Sequence, residues 1–487
     1  MRVPNLAGSF LHRHYRKLLL FLVFVVALIV RLIGLSVRPF WYDELQSMVY
    51  SNLPFGDMLQ SVIIFDPHPP LYYLQLHFWI LLGTGEGWAR LNSVLWSLLA
   101  ATGLFLLCRR LFNFEFAVCS TLIFVVMPMG VFYAQEVRMY AMLMCLAVGS
   151  FYFAYHFLNI RQGPLESLGL FGFTAAFLYT HGSGFLLLIS LVTYAILVWA
   201  ADRKIDRKTF YRFLFLLGSA ALLYALWLVK GFFFSMEHLQ RPGLQEMVDT
   251  LSNLIIGFLA YPTWLHWLAI LLVVPGVIYA LVRGGDDKLR PIATAFLLVP
   301  VVFCLIISLF IKPIWHYRSL IYTLPFLSMM ITWIVFRFSA WIGRHKTPVW
   351  VIRYSILESI VLLLFAGSLA QGYWYSYPWD IRGTARHLQQ ITQSGDIVFV
   401  AHPRLFWGIN WYWGGPENGF NPLGFEYCVL NPDGKYLLYP VDTEEVVAGR
   451  TYWIVYRDTD NIDPLSPEDL EVITAFDHLV IARLRFP

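Results

Sequence analysis

Long apolar stretches recur through this chain, centred near residues 27, 99, 123, 149, 175, 192, 220, 273, 301, 328 and 361. Each comes close to the roughly 20 residues an α-helix needs to cross the ~30 Å hydrocarbon core of a bilayer. In that solvent every backbone polar group must be bonded internally, so spanning segments have to be helical. The composition agrees: 58% of the 487 residues are hydrophobic and 14% are charged, against about 25% charged in soluble domains. The fold class read from the sequence is therefore an all-α polytopic membrane protein of about eleven transmembrane helices.

Positive residues give the orientation. Basic clusters fall at "HRHYRK" (12–17), "CRR" (108–110), Arg161, "DRKIDRK" (202–208), "RGGDDKLR" (283–290) and "RFSAWIGRHK" (337–346), which are alternate connections. They mark the cytoplasmic side, with the N-terminus inside and the C-terminus outside. The first segment has the basic flank of a signal peptide, but its apolar run is too long and no small-x-small cleavage site follows, so it reads as a retained anchor. The same parity decides "HPPLYYLQLHFWILLG" (68–83), because every later cluster would change sides if it spanned. It reads instead as a helix in or dipping into the outer interface, where Tyr and Trp are favoured. Residues 1–372 then form a transmembrane domain with one long external loop, 37–90.

The tail changes rhythm. "RGTARHLQQITQS" reads as an amphipathic helix, and "GDIVFVAHP", "TYWIVYR" and "HLVIARLRF" read as strands. Residues 379–487, about 110 in all, suffice for a small extracytoplasmic α/β domain with a mixed sheet. Four of the five cysteines (Cys108, Cys119, Cys145 and Cys304) sit in apolar runs, Cys428 lies outside them, and no CxxC pair is present. With 35 Lys and Arg against 31 Asp and Glu, nothing points to a nucleic-acid partner.

The external face collects most of the notable polar residues: Asp43 and Glu44 after the first span, Asp66 and His68 in "DPHPPLYY", Gln135, Glu136 and Arg138 in "YAQEVRMY", His181 in "THGSG", and Lys312, His316 and Arg318 in "IKPIWHYRSL". Each has a bland reading. Asp43 and Glu44 fit a wetted helix end, Asp66-Pro67 a turn, Pro69-Pro70 a helix start, Arg138 a snorkelling partner of Glu136, and His181 a polar loop residue. Arg31, inside the first span, fits a snorkelling or helix-bridging role. Together, though, carboxylates beside an aromatic-rich interfacial loop and cations near the headgroups suit one chemistry. A carboxylate can take the proton of an acceptor hydroxyl, while cations stabilise a departing lipid phosphate.

The ordered set "FWYDE", "DPHPPLYYLQLHFW", "GEGWARLNSVLWSLLAATGLFLLCRRLF", "YAQEVRMYA" and "HYRSLIYTLPFL" resembles the GT-C membrane glycosyltransferases related to dolichyl-phosphate-mannose protein mannosyltransferases and the lipid A aminoarabinose transferase, over roughly residues 15–340. The resemblance implies a polyprenyl-phosphate sugar donor, inversion at the anomeric carbon, and chemistry on the periplasmic or luminal face of the cell (inner) membrane. It also implies Asp43 as base with Glu44 beside it, His68 and Tyr72 near the leaving phosphate, and Glu136, Arg138 and Arg318 as substrate contacts. Asp66, His181 and His316 complete the candidate binding set. The acceptor, a lipid, glycan or protein hydroxyl, stays open, since the luminal β-trefoil insertion of eukaryotic protein mannosyltransferases is missing. No cofactor is required. A divalent cation (Mg or Mn) between Asp43 or Glu44 and the donor phosphate is compatible with the chemistry, yet no cluster has metal-ligand spacing. Competing readings are a transporter or flippase of lipid-linked sugars, which would place ionisable residues and broken helices at midplane, and a glycan ligase or polymerase using the loop from Lys230 with Glu237, His238 and Arg241.

Overall fold

The structure, a computed structural model, describes residues 6–201, 205–233, 241–258, 263–283, 288–342, 348–374, 380–393, 396–400, 403–414, 428–430, 436–437, 451–457, 470–476 and 478–484. Two compact units divide the chain: a helical unit of residues 1–33, 67–72 and 90–375, and a mixed unit of residues 34–66, 73–89 and 376–487.

In chain order the first ten helices are α1 (Leu6–Leu32), α2 (Tyr42–Asn52), α3 (Phe55–Phe65), α4 (Leu71–Ile80), α5 (Glu86–Leu111), α6 (Phe114–Val126), α7 (Pro128–Ala134), α8 (Tyr140–Asn159), α9 (Pro164–Leu178) and α10 (Phe185–Ala201). The rest are α11 (Arg207–Phe233), α12 (Leu244–Ile256), α13 (Thr263–Arg283), α14 (Leu289–Ala293), α15 (Val299–Phe310), α16 (Tyr317–Leu320), α17 (Leu324–Ile342), α18 (Val349–Trp374), α19 (Ile381–Ile391) and α20 (Pro403–Gly414). Among the described residues, seven helical stretches are long and apolar enough to cross a membrane by length and composition, or eight if α6 and α7 count as one span bent by 63°. With ten residues, α4 is about 15 Å long, half a hydrocarbon core.

The bend follows from Pro128, which opens α7 and has no N–H to continue the α6 ladder. The freed carbonyls are all met: Phe124 O by Met127 N (3.4 Å), Val125 O by Arg31 Nη1 (3.0 Å) and Val126 O by Ser368 Oγ (2.7 Å). Arg31 therefore does not snorkel. Fully buried in α1, it also donates to Ser97 Oγ on α5 (2.9 Å) and bridges three helices. Gln135, just after α7, donates to the Val30, Arg31 and Ile33 carbonyls (3.2, 3.1 and 2.8 Å), satisfying orphan acceptors at the end of α1.

In the mixed unit six strands, β1 (Ile397–Val400), β2 (Cys428–Leu430), β3 (Tyr436–Leu437), β4 (Tyr452–Arg457), β5 (Leu470–Phe476) and β6 (Leu479–Leu484), form one sheet in the order β3-β2-β1-β4-β6-β5. β1 and β4 pair parallel and the other pairs are antiparallel. Central β4 is buried from Tyr452 through Val455, as a strand covered on both faces should be. Helix α19 starts at Asp380, whose carboxylate accepts from Gly383 N (2.8 Å), and it buries Ile381, Ala385 and Leu388 at helical spacing.

Candidate functional site

The ten candidate residues divide between the two units, and each group is built differently. Asp43, Glu44 and Asp66 belong to the mixed unit; His68, Tyr72, Glu136, Arg138, His181, His316 and Arg318 belong to the helical unit.

Asp43 and Glu44 occupy the first turn of α2, where the helix macrodipole favours negative charge. Glu44 is 1% exposed and its Oε2 accepts from Trp41 N (3.4 Å), the third-position half of a capping box, so its carboxylate closes its own helix start. Asp43 is half-buried, and the hydroxyl of Ser47, one turn on, donates to its backbone carbonyl (3.1 Å). Asp66 is fully buried at the end of α3, and its Oδ2 accepts from the Tyr73 hydroxyl (2.8 Å) and Gln46 Nε2 (3.0 Å). Those bonds tie α2 to α4, and Ser51 adds two more: its hydroxyl donates to Tyr73 O (3.3 Å) and its carbonyl accepts from His77 Nδ1 (2.8 Å). Beyond the simple turn its sequence suggests, Asp66 is thus a joint between helices.

In the helical unit His68 and His181 stack face to face, with centroids 4.4 Å apart and planes 26° from parallel. Gly182 N donates to His68 Nδ1 (3.3 Å) and Ser183 N to His181 Nδ1 (3.1 Å), so both rings accept at Nδ1 and carry their proton on Nε2. Gly182 permits this approach, because a Cβ there would crowd the Pro67 carbonyl at 3.3 Å. Tyr224 of α11 pins the same loop by donating to Gly182 O (2.6 Å).

Burial, then His181, Arg138, Arg318 and Lys230, hold the His68 pKa well below its ordinary value. Burial, then Arg138 and Arg318, lower that of His181 to about 3. Both imidazoles are therefore neutral near neutral pH. His68 offers an N–H in place of a positive charge, because ionising it would add a fourth cation to Arg138, Arg318 and Lys230. Arg138 is buried beside buried Glu136 in the segment after α7; Ser93 of α5 holds that segment by donating to the Glu136 carbonyl. The Arg318 guanidinium lies over the Tyr140 ring at 5.9 Å, and Tyr140 in turn faces His181 at 5.9 Å.

Tyr72 is fully buried at the start of α4, where Leu71 N donates to Tyr179 O (3.0 Å). His316 caps the four-residue α16 by accepting from the backbone N–H of Arg318 at Nδ1 (3.2 Å). Sequence reasoning passed over two members of this group: Lys230, a charge ending an apolar helix, and Tyr140, the last letter of "YAQEVRMY". Of the later loop residues, Glu237 and His238 lie outside the described residues, and Arg241 is exposed. Among the described residues no three His, Cys, Asp or Glu side chains converge as metal ligands.

The sequence model of the dolichyl-phosphate-mannose-protein mannosyltransferase family matches residues 67–230. That stretch includes His68, Tyr72, Glu136, Arg138 and His181. No curated protein matches the chain. Among solved structures, ArnT from Cupriavidus metallidurans bound to undecaprenyl phosphate is similar with a TM-score of 0.60 at 15% identity, covering 96% of this chain and 99% of that one. The archaeal oligosaccharyltransferase AglB from Archaeoglobus fulgidus, in complex with an inhibitory peptide and a dolichol-phosphate, is similar with a TM-score of 0.51 at 12% identity, covering 78% of this chain and 58% of that one. At such identities the likeness concerns the fold: the chain shares the fold of these two structures, and its residues 67–230 are similar to the mannosyltransferase family.

Proposed function

We propose that the protein is an inverting glycosyltransferase that moves a sugar from a polyprenyl-phosphate donor to an acceptor hydroxyl at the outer, periplasmic face of the membrane. The observation that carries this reading is the grouping of two guanidinium side chains, Arg138 and Arg318, with a neutral imidazole pair, of which Arg138 and both imidazoles lie in the stretch that matches the mannosyltransferase family. A phosphate monoester leaving group needs positive charge and N–H donors where its oxygens gain charge, and needs no acid to protonate it. ArnT and AglB in the structures compared hold undecaprenyl phosphate and a dolichol-phosphate, which supports a lipid phosphate here.

In the step, Asp43 takes the proton of the acceptor hydroxyl as its oxygen attacks the anomeric carbon. The new C–O bond forms on the face opposite the phosphate, the old one breaks, and its electron pair leaves on the phosphate oxygen, whose charge suits guanidinium donors such as Arg138 and Arg318. Glu44 serves by fixing the first turn of α2, and His68 and His181 serve as neutral N–H donors. Beside the seven long spans and the bent α6–α7 pair, this reading takes α1, α9 and α10 as further crossings, eleven in all, with the basic clusters in the cytoplasm. Membranes holding the protein, incubated with a panel of radiolabelled undecaprenyl-phosphate hexoses and pentoses, should yield a sugar-bearing product identifiable by mass. Transport of such a lipid without transfer from any of them sinks the reading.

A further inference from the structure

Residues 37–42 lead the chain into α2, and the tail grips them at several points within the mixed unit. Arg382, at the start of α19, donates from Nη2 to the Val37 carbonyl (2.8 Å) and from Nη1 to Glu86 Oε1 (2.9 Å). The Tyr412 hydroxyl, on α20, donates to the same Glu86 oxygen (3.0 Å) and accepts from Phe40 N (2.7 Å). Trp407 stacks on Tyr42, the residue directly before Asp43, with centroids 5.2 Å apart and planes 20° from parallel. Gly408 brings α20 so close that a Cβ there would run into Ile381 and crowd Leu45 of α2.

Burial of Phe40 and Leu45 alone would suffice to hold a loop down. These hydrogen bonds go instead to the two backbone groups, Val37 O and Phe40 N, that set the path into the first turn. Burial and the neighbouring Glu86 push the Tyr412 pKa up, which keeps its one proton available for Glu86 while its oxygen accepts from Phe40. A catalytic carboxylate displaced by about 1 Å can lose about a hundredfold in rate, so the path of this backbone bears on the reaction.

We propose that Arg382 and Tyr412, acting through Glu86, are positioning residues for Asp43, which makes the tail a working part of the transferase. The proposal rests on the reading of Asp43 as base. The test compares full-length Tyr412→Phe and Arg382→Lys with the parent in vesicles, using the undecaprenyl-phosphate sugar that the parent turns over. Tyr412→Phe should lower kcat about tenfold with the donor KM within about twofold and the thermal midpoint unchanged. Added to Asp43→Asn and followed over long incubations, it should cause no further loss, since both act through one group. Parent-level kcat in both tail variants, or a full additional tenfold loss on the Asp43→Asn background, overturns the proposal. If Tyr412→Phe fails to accumulate, Arg382→Lys carries the same comparison, because it keeps the charge facing Glu86 but loses the fork that reaches Val37. Parent-rate transfer by Asp43→Asn overturns the base assignment instead, and is read on a variant that leaves the tail untouched.

Discussion

The mixed unit and the helical unit keep polar groups inside protein by opposite means. In the mixed unit, carboxylates are buried and given donors: Asp66 has Tyr73 and Gln46, and Glu44 has the start of its own helix. In the helical unit, the basic rings are buried and left uncharged, with Arg138 and Arg318 carrying the positive charge beside them. Burying an unmatched ion costs far more than burying a neutral donor, so each unit removes the cost at its source. The contrast also separates the three acids. Glu44 and Asp66 are buried and engaged in holding helices, whereas Asp43 is half-buried and within reach of solvent.

That separation is most exposed at Asp43. Asp43→Asn should cut transfer by about 10³-fold at normal membrane abundance, while Glu44→Gln should cost far less; equal losses in a radiolabel transfer assay would erase the distinction. On the other side, Arg318→Gln and Arg138→Gln should each lower kcat by about 10²-fold, and Arg318→Lys should recover part of it. A loss confined to KM would assign these residues to ground-state binding. Asp66→Ala should act on stability, leaving the Tyr73 hydroxyl and Gln46 amide without an acceptor at about 1–3 kcal/mol per orphaned donor. An unchanged unfolding midpoint would show that the joint is dispensable.

The smallest effect concerns pH. The folded His181 pKa is about 3 against an ordinary 6.5, so between those values the unfolded chain binds the proton and the folded one does not. Stability should therefore fall as pH drops below about 6.5, and the midpoint of His181→Gln should fall less steeply between pH 6.5 and 5. Parallel slopes would mean that the ring is already charged in the folded protein.

The long helices were legible because a bilayer forces the same code on each of them, and the tail's α19, β1, β4 and β6 followed from ordinary amphipathic and strand patterns. The jobs of individual polar residues were harder to read. "HYR" looks like a set of ligands, yet His316 is a helix cap; "DPHPP" looks like a turn, yet Asp66 ties two helices. The His68–His181 stack joins residues in separate connections, and it is Gly182 of "THGSG" that lets the Pro67 carbonyl come close there. For Arg31 the sequence left snorkelling and helix-bridging both open, because its partner, the Val125 carbonyl, becomes available only once Pro128 has broken α6.

The grip of the tail on residues 37–40 has a consequence in time. The Val37–Arg382 and Phe40–Tyr412 bonds join positions 345 and 372 residues apart. At the ~5–20 residues per second of synthesis, on the order of 20–70 s separates the making of the two ends. During that interval the approach to α2 lacks the bonds that set its course, so a chain stalled before Tyr412 would carry Asp43 and the cations without the fastening between tail and loop. Only once synthesis has passed Tyr412 can the chain set the course of its own entry into α2.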